Sequence, residues 1–365
     1  MTMALGNYLV GTRRILRESM KILVRGTNWI GDAVMTIPAL RELRRIFPRD
    51  HITLHTRSWA EGIFRDVDFI DEFLIFDEKG SNFRTLFEQA HRIRAGNYDV
   101  GIIFPNSYRS AAMMKLGRIP RCFGFAKEGR SMLLTDAIKV PRWKKQSHEV
   151  YYYLELIRQV EKSILDADTV NYRDEITGLD ISAARKAEAA EMLRGAGLGN
   201  DAGIVAIGPG SANSRAKRWG SKNFAELAER VFRDCGAGAA ILGSAEDADV
   251  AARVREHSAV PLIDLTGKTS LSEAAAILAA VDLFISNDMG LAHIAAAAGT
   301  PTIVIFGPTN PETTRPIGSN VQIAREPVDC SPCMLRDCPI DHRCMTRISV
   351  DDIMKMAAPV LTGTR

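Results

Sequence analysis

Between Leu283 and Pro311 the chain reads LFISNDMGLAHIAAAAGTPTIVIFGPTNP, and this stretch narrows the possible folds more than any other. Leu283–Ser286 is a short apolar run that ends in Asn287 and Asp288, both helix-capping residue types. The small residues Ala292 to Ala298 predict a helix, stopped by Gly299 with Pro301 just beyond. Thr302–Phe306 is a second, β-branched run. Strand, helix and strand in that order make a parallel βαβ unit, with the helix opening just past a strand end. Such a start offers unpaired N–H groups and a positive dipole end, which suit a phosphate. Gly290 lets a ligand come close, and His293 falls on the first turn. The same residues also fit an ordinary packing helix with a structural histidine.

The rest of the chain repeats the alternation. Met20–Val24, His51–His55, Phe73–Phe76 and Val100–Phe104 predict strands in the first half. Ile204–Ile207 and Ala239–Leu242 do so in the second, where Ile263–Leu265 precedes Thr266-Gly267. Helical stretches stand between them, and polar, glycine-bearing loops follow the strands. After the first strand comes RGTNWIGD, where Asp32 would face a cleft or cap a helix. Asn106, Ser107 and Arg109 follow the fourth strand. GPGSANSRAKRW, with Gly210, Ser211 and Lys217, follows Ile207, and donors of that kind around a loop can wrap a diphosphate. Glu246 follows the next strand, where it could accept from ribose hydroxyls or simply charge a helix start. Neither GxGxxG nor GxxxxGK[ST] is present, which disfavours a dinucleotide-linked dehydrogenase and a Walker-type nucleotidase.

At 365 residues the chain exceeds one typical core, and two domains are expected. The expected parts are an extension at 1–19, a Rossmann-like domain at 20–172 and a second at 173–345. A closing helix at 346–365 should cross back to the first domain. The fold class is α/β, two Rossmann-like domains facing one another across a cleft. Residues 1–19 read either as an amphipathic membrane-surface helix or as an incidental extension.

Net charge is +3, which argues against a dedicated nucleic-acid binder. Yet between Arg109 and Lys145 ten cations, among them Arg121 and Arg130, face only Glu128 and Asp136. Such a stretch is either a solvated basic face or a site for an anionic partner, and it lacks the interleaved aromatics of single-strand binders. No apolar run approaches 18 residues and no signal peptide is evident, so a cytoplasmic protein is expected. The tail holds Cys330, Cys333, Cys338 and Cys344, read as a zinc or iron–sulfur site, as reduced thiols or as a redox-labile disulfide.

Four blocks, MKILVRGTNWIGDAVMTIPALRELRRIFP, PNSYRSAAMMKLGRIP, GPGSANSRAKRW and SNDMGLAHIAAAAGTPTIVIFGPTNP, together resemble the family-9 glycosyltransferases, the ADP-heptose:lipopolysaccharide heptosyltransferases. The PNS block and the cysteine-rich tail look most like the heptosyltransferase II branch. The resemblance implies a GT-B fold and inverting transfer of heptose from ADP-L-glycero-D-manno-heptose to the lipid A–Kdo inner core. It implies Asp32 as general base and a donor site at Gly210, Ser211, Lys217, Glu246, Asp288, Met289, Gly290 and His293. Met289 stands where some members carry threonine. The acceptor is expected against Asn106, Ser107, Arg109, Arg121 and Arg130. No cofactor is expected for catalysis, and the protein should sit peripherally at the inner membrane. A non-catalytic nucleotide-sugar-binding module, or a family member with another acceptor, stays open as the alternative.

Overall fold

A computed structural model describes residues 19–77, 83–172, 178–199, 203–212 and 214–363. The two readings of residues 1–19 therefore lie outside the described residues, Ser19 apart. Among the described residues twelve strands form two sheets. In the first half these are β1 (Lys21–Arg25), β2 (His51–Thr56), β3 (Glu72–Ile75), β4 (Val100–Ile103), β5 (Arg121–Phe125) and β6 (Asp136–Ile138). In the second they are β7 (Ile204–Gly208), β8 (Gly238–Ile241), β9 (Ile263–Asp264), β10 (Leu283–Asn287), β11 (Thr302–Phe306) and β12 (Val321–Arg325). The orders are β3-β2-β1-β4-β5-β6 and β12-β11-β10-β7-β8-β9, with every pair parallel.

A parallel sheet is buried on both faces, so its strands are apolar throughout. β1 shows this: Ile22 and Val24 enter one core layer and Leu23 the opposite one. In the second sheet Ala206 joins the inner layer while Val205 and Ile207 join the outer. The inner layer is continuous between the domains. There the helix Ile30–Met35 packs on the helix Gly290–Ala297, and Ser58–Ile63 packs on Leu271–Leu278.

The order in which strands are added reverses about β1/β4 and about β7/β10, and ligands of such sheets bind where those two strands end. Each of the four resembling blocks contributes a loop at one of these points. β5, β6 and β12 are absent from the sequence reading. The cations around Arg121-Cys-Phe-Gly-Phe mask its apolar core, β6 has only three residues, and β12 is an edge strand. The closing helix, Val350–Gly363, does not cross back to the first domain. Ile353, Met354, Ala357 and Leu361 pack with Val205, Leu227, Ile285 and Ile303 on the outer face of the second sheet.

Candidate active site

β1 ends in Arg25, which is 3% exposed. Its guanidinium donates to the carbonyls of Gly26 and His55 and, at 2.7 Å, to Asn28 Oδ1, which pins the loop that leads to Asp32. It lies 4.3 Å from the Phe76 ring centre. Burial, with Arg57 nearby, lowers its pKa to about 9.

Asp32 sits in the first turn of Ile30–Met35, partly buried. Burial raises its carboxyl to about 6, the Glu149 carboxylate pushes the same way, and Lys144 and Lys217 oppose. Lys217 therefore acts on Asp32 from the other domain. Glu149 opens the helix Glu149–Leu165 and is ion-paired to Lys144, whose ammonium lies 4.5 Å from the Tyr152 ring centre.

The loop after β4 is a brace. Arg130 is fully buried, and its fork donates to the carbonyls of Pro105, Ser107 and Phe125 and to Asn106 Oδ1. Tyr152 Oη donates to the same Asn106 oxygen at 3.0 Å. Ser107 caps the helix Tyr108–Leu116 by accepting from Ser110 N–H. This corrects the acceptor reading of Arg130, whose buried fork is spent on the loop itself, while Asn106 and Ser107 stay half-buried, with the Asn106 oxygen and the Ser107 hydroxyl engaged in the brace. Arg121 is corrected for a different reason. It starts β5, at the opposite edge of the sheet from Asp32, and pairs with Asp136 at 2.7 Å. Arg109 also follows the end of β4 and is half-buried, with a bond to Thr85 Oγ1 at 2.5 Å.

Across the cleft the loop after β7 is tied to β10 by Asn287. Its side chain accepts from Trp219 N–H at 3.0 Å and donates to the carbonyls of Pro209 and Gly210. Asp288 accepts from Thr309 Oγ1 at 2.8 Å and pairs with Lys217 at 2.7 Å. Neither residue caps the helix, as the sequence suggested; Met289 holds the cap position. Gly210 lies against Asp247 so closely that any side chain would overlap the carboxylate. Ser211 is buried and donates to Ser214 O, while Glu246 is exposed.

His293 is buried and its pKa falls to about 4, chiefly by burial, so the ring is neutral near pH 7. It faces Gly31, where an added Cβ would come within 2.9 Å of the ring. A Cβ on Gly290 would stand 2.7 Å from that of Ile30. Gly290 thus serves the approach of the two domains, where the sequence suggested the approach of a ligand.

Cys330 and Cys333 are exposed, Cys338 is half-buried and Cys344 is buried. Among the described residues no group of three or more Cys, His, Asp or Glu is placed to hold a metal ion. The segment instead clasps the loop after β7. Ala216 N–H donates to Arg336 O at 2.9 Å, Met334 N–H to Pro308 O at 2.8 Å, and His342 Nε2 lies 2.6 Å from Ala216 O.

Residues 86–343 match the family model described as glycosyltransferase family 9 (heptosyltransferase). The chain belongs to glycosyltransferase family 9. Lipooligosaccharide heptosyltransferase 2 of Haemophilus ducreyi is 28% identical, over 84% of this chain and 88% of that one. Lipopolysaccharide heptosyltransferase 2 of Escherichia coli K12 is 26% identical over the same shares. The fold matches that of E. coli ADP-heptose LPS heptosyltransferase II with a TM-score of 0.80 at 24% identity, covering 94% of this chain and 99% of that one. In this family-9 glycosyltransferase the two-domain arrangement is therefore the GT-B architecture. Sequence reasoning missed Glu149, Lys144 and Asn287 as parts of the site. No local motif marks the first two, since only the docking of a helix about 120 residues downstream brings them to Asp32.

Proposed function

We propose that this glycosyltransferase moves heptose from ADP-L-glycero-D-manno-heptose to the inner core of lipopolysaccharide, a reading supported by relatives named lipooligosaccharide and lipopolysaccharide heptosyltransferase 2. Asp32 is the general base. The observation that carries the reading is a carboxyl held near pKa 6 in one domain within electrostatic reach of Lys217 in the other. A sugar hydroxyl is a poor nucleophile, and a base poised near neutrality removes its proton as the new C–O bond forms. The bond from the anomeric carbon to ADP breaks on the opposite face, which inverts the centre. Charge gathers on the leaving diphosphate, where Lys217 and the N–H groups opening Gly290–Ala297 stabilise it. Asp288, paired with Lys217 and Thr309, fixes the ammonium in place. Glu246 binds the ribose, Arg109 holds an acidic group of the acceptor, and no step runs through a metal. The enzyme works in the cytoplasm, at the surface of the inner membrane where such an acceptor is anchored.

The test is incubation of the full chain with ADP-heptose and heptose-deficient lipopolysaccharide, following ADP release and product mass. Wild type should turn over, and Asp32→Ala should lose about 10²-fold or more in kcat with ADP affinity kept. Nucleotide binding without transfer would leave a non-catalytic module. Transfer to some other acceptor alone would refute the lipopolysaccharide assignment.

A further inference from the structure

We propose that the rim of the first domain running from the helix Phe83–Ala95 across the helix Tyr108–Leu116 to the turn Arg130–Leu133 docks on an anionic lipid bilayer. Four large apolar side chains stand out of it: Phe83 at 80% exposure, Phe87 at 57%, Tyr108 at 50% and Met132 at 78%. They form one row. Phe83 and Phe87 are four apart and share a helix face. Arg109, next to Tyr108, reaches Thr85 at 2.5 Å, so the first turns of the two helices lie side by side. The turn carrying Met132 packs against Tyr108–Leu116.

All of these segments follow strand ends of a parallel sheet, so they share the edge that carries Asp32. Trp29, 57% exposed in the loop before Asp32, lies on that edge too. Soluble monomers rarely leave a run of large apolar groups to water without a partner. The charge around the row says which partner. Lys127, Lys139, Arg142 and Lys145 are exposed after β5 and β6, and Glu128 is the acid exposed among them. Glu88, on the row's own helix, is paired to Arg84. Aromatic and thioether groups ringed by cations fit the headgroup zone of a bilayer with anionic lipids, where apolar burial and charge attraction act together. A protein partner would need matching acids on a rigid surface, whereas a bilayer supplies them laterally mobile.

Docked this way, the chain holds Asp32 at the level of the membrane surface. A lipid-anchored acceptor then reaches the base without leaving its leaflet. The docking face deepens the membrane placement proposed above, and this last consequence rests on the acceptor assigned there.

The experiment is sedimentation of the full chain with vesicles of phosphatidylglycerol and phosphatidylethanolamine, and separately with phosphatidylcholine alone. Wild type should sediment with the first and not the second, and release as salt rises. The combined variant Phe83→Ser/Phe87→Ser/Met132→Ser should lose about fivefold or more of that binding. Its melting temperature and its turnover on a delipidated, water-soluble acceptor should stay unchanged. A second variant, Lys127→Gln/Arg142→Gln, covers the case in which the first fails to fold, and it should weaken binding and flatten the salt response. Undiminished sedimentation of both variants, or equal binding to phosphatidylcholine, overturns the proposal. A wild-type dimer that the triple variant turns monomeric would assign the row to a second copy instead. Vesicle binding without heptose transfer would sink the acceptor assignment and leave this face standing.

Discussion

At Asp32, burial and the Glu149 carboxylate act in one direction and hold the acid near pKa 6. Below that pH the base is protonated, so kcat/KM should fall as pH drops through about 6. Glu149→Gln removes the second negative charge and leaves Lys144 unopposed, so the acid limb of the profile should move to lower pH. A rate profile measured from pH 5 to 8 checks this, and an unmoved limb would take Glu149 out of the site. The same shift bears on stability, with the opposite sign to a salt-bridged carboxylate. A carboxyl whose folded pKa is raised contributes stability fully below its unfolded value near 3.8, and loses it as pH rises through 6. Charged Asp32 at pH 8 therefore costs up to about 3 kcal/mol. Asp32→Asn should raise the melting temperature at pH 8 and not at pH 4, while turnover collapses. Lys217→Ala should weaken ADP binding by roughly 1.5–3 kcal/mol, read by calorimetry. Asp32 and Lys217 stand out in the sequence because each follows a strand end within a dense block. Arg130 misled because burial cannot be read from a run of cations.

The elements that build the cleft were legible because each is an apolar run closed by glycine or a polar cap; β1, β4, β7 and β10 are of this kind. β5 and β6 were not, since packing and not pattern makes them strands. The cysteine-rich segment is a third case. Its spacing drew a metal reading, yet its visible work is to hold the loops after β7 and β11 through main-chain groups at Ala216, Arg336, Met334 and Pro308. Within this segment iodoacetamide should therefore modify Cys330 and Cys333 first and Cys344 last, because burial raises the Cys344 thiol above its ordinary value. Mass spectrometry of timed samples reads the order. Alkylating only the first two should leave ADP affinity within about twofold, since no side-chain sulfur makes the clasp. Prolonged EDTA treatment should spare turnover, with metal content measured in parallel.

At the scale of the molecule, the alternation of strand and helix announced two Rossmann-like halves, but nothing in it announced how near they come. That distance is set where Gly31 meets His293 and Gly290 meets Ile30, and a side chain on either glycine overlaps its neighbour. Gly31→Val should force the helices Ile30–Met35 and Gly290–Ala297 apart. Small-angle scattering should show a larger radius of gyration, and turnover should fall while ADP affinity, a property of one domain, largely persists. Unchanged scattering and rate would mean the contact is not what spaces the halves. In terms of descent, a glycine at a seam leaves selection no small step to take. A rim residue such as Arg109 can be exchanged by degrees as a lineage meets a new acceptor, but Gly31 and Gly290 can only be kept or lost. Among the descendants of such an enzyme, new substrates should be recorded at the loops, and ancestry at these two glycines.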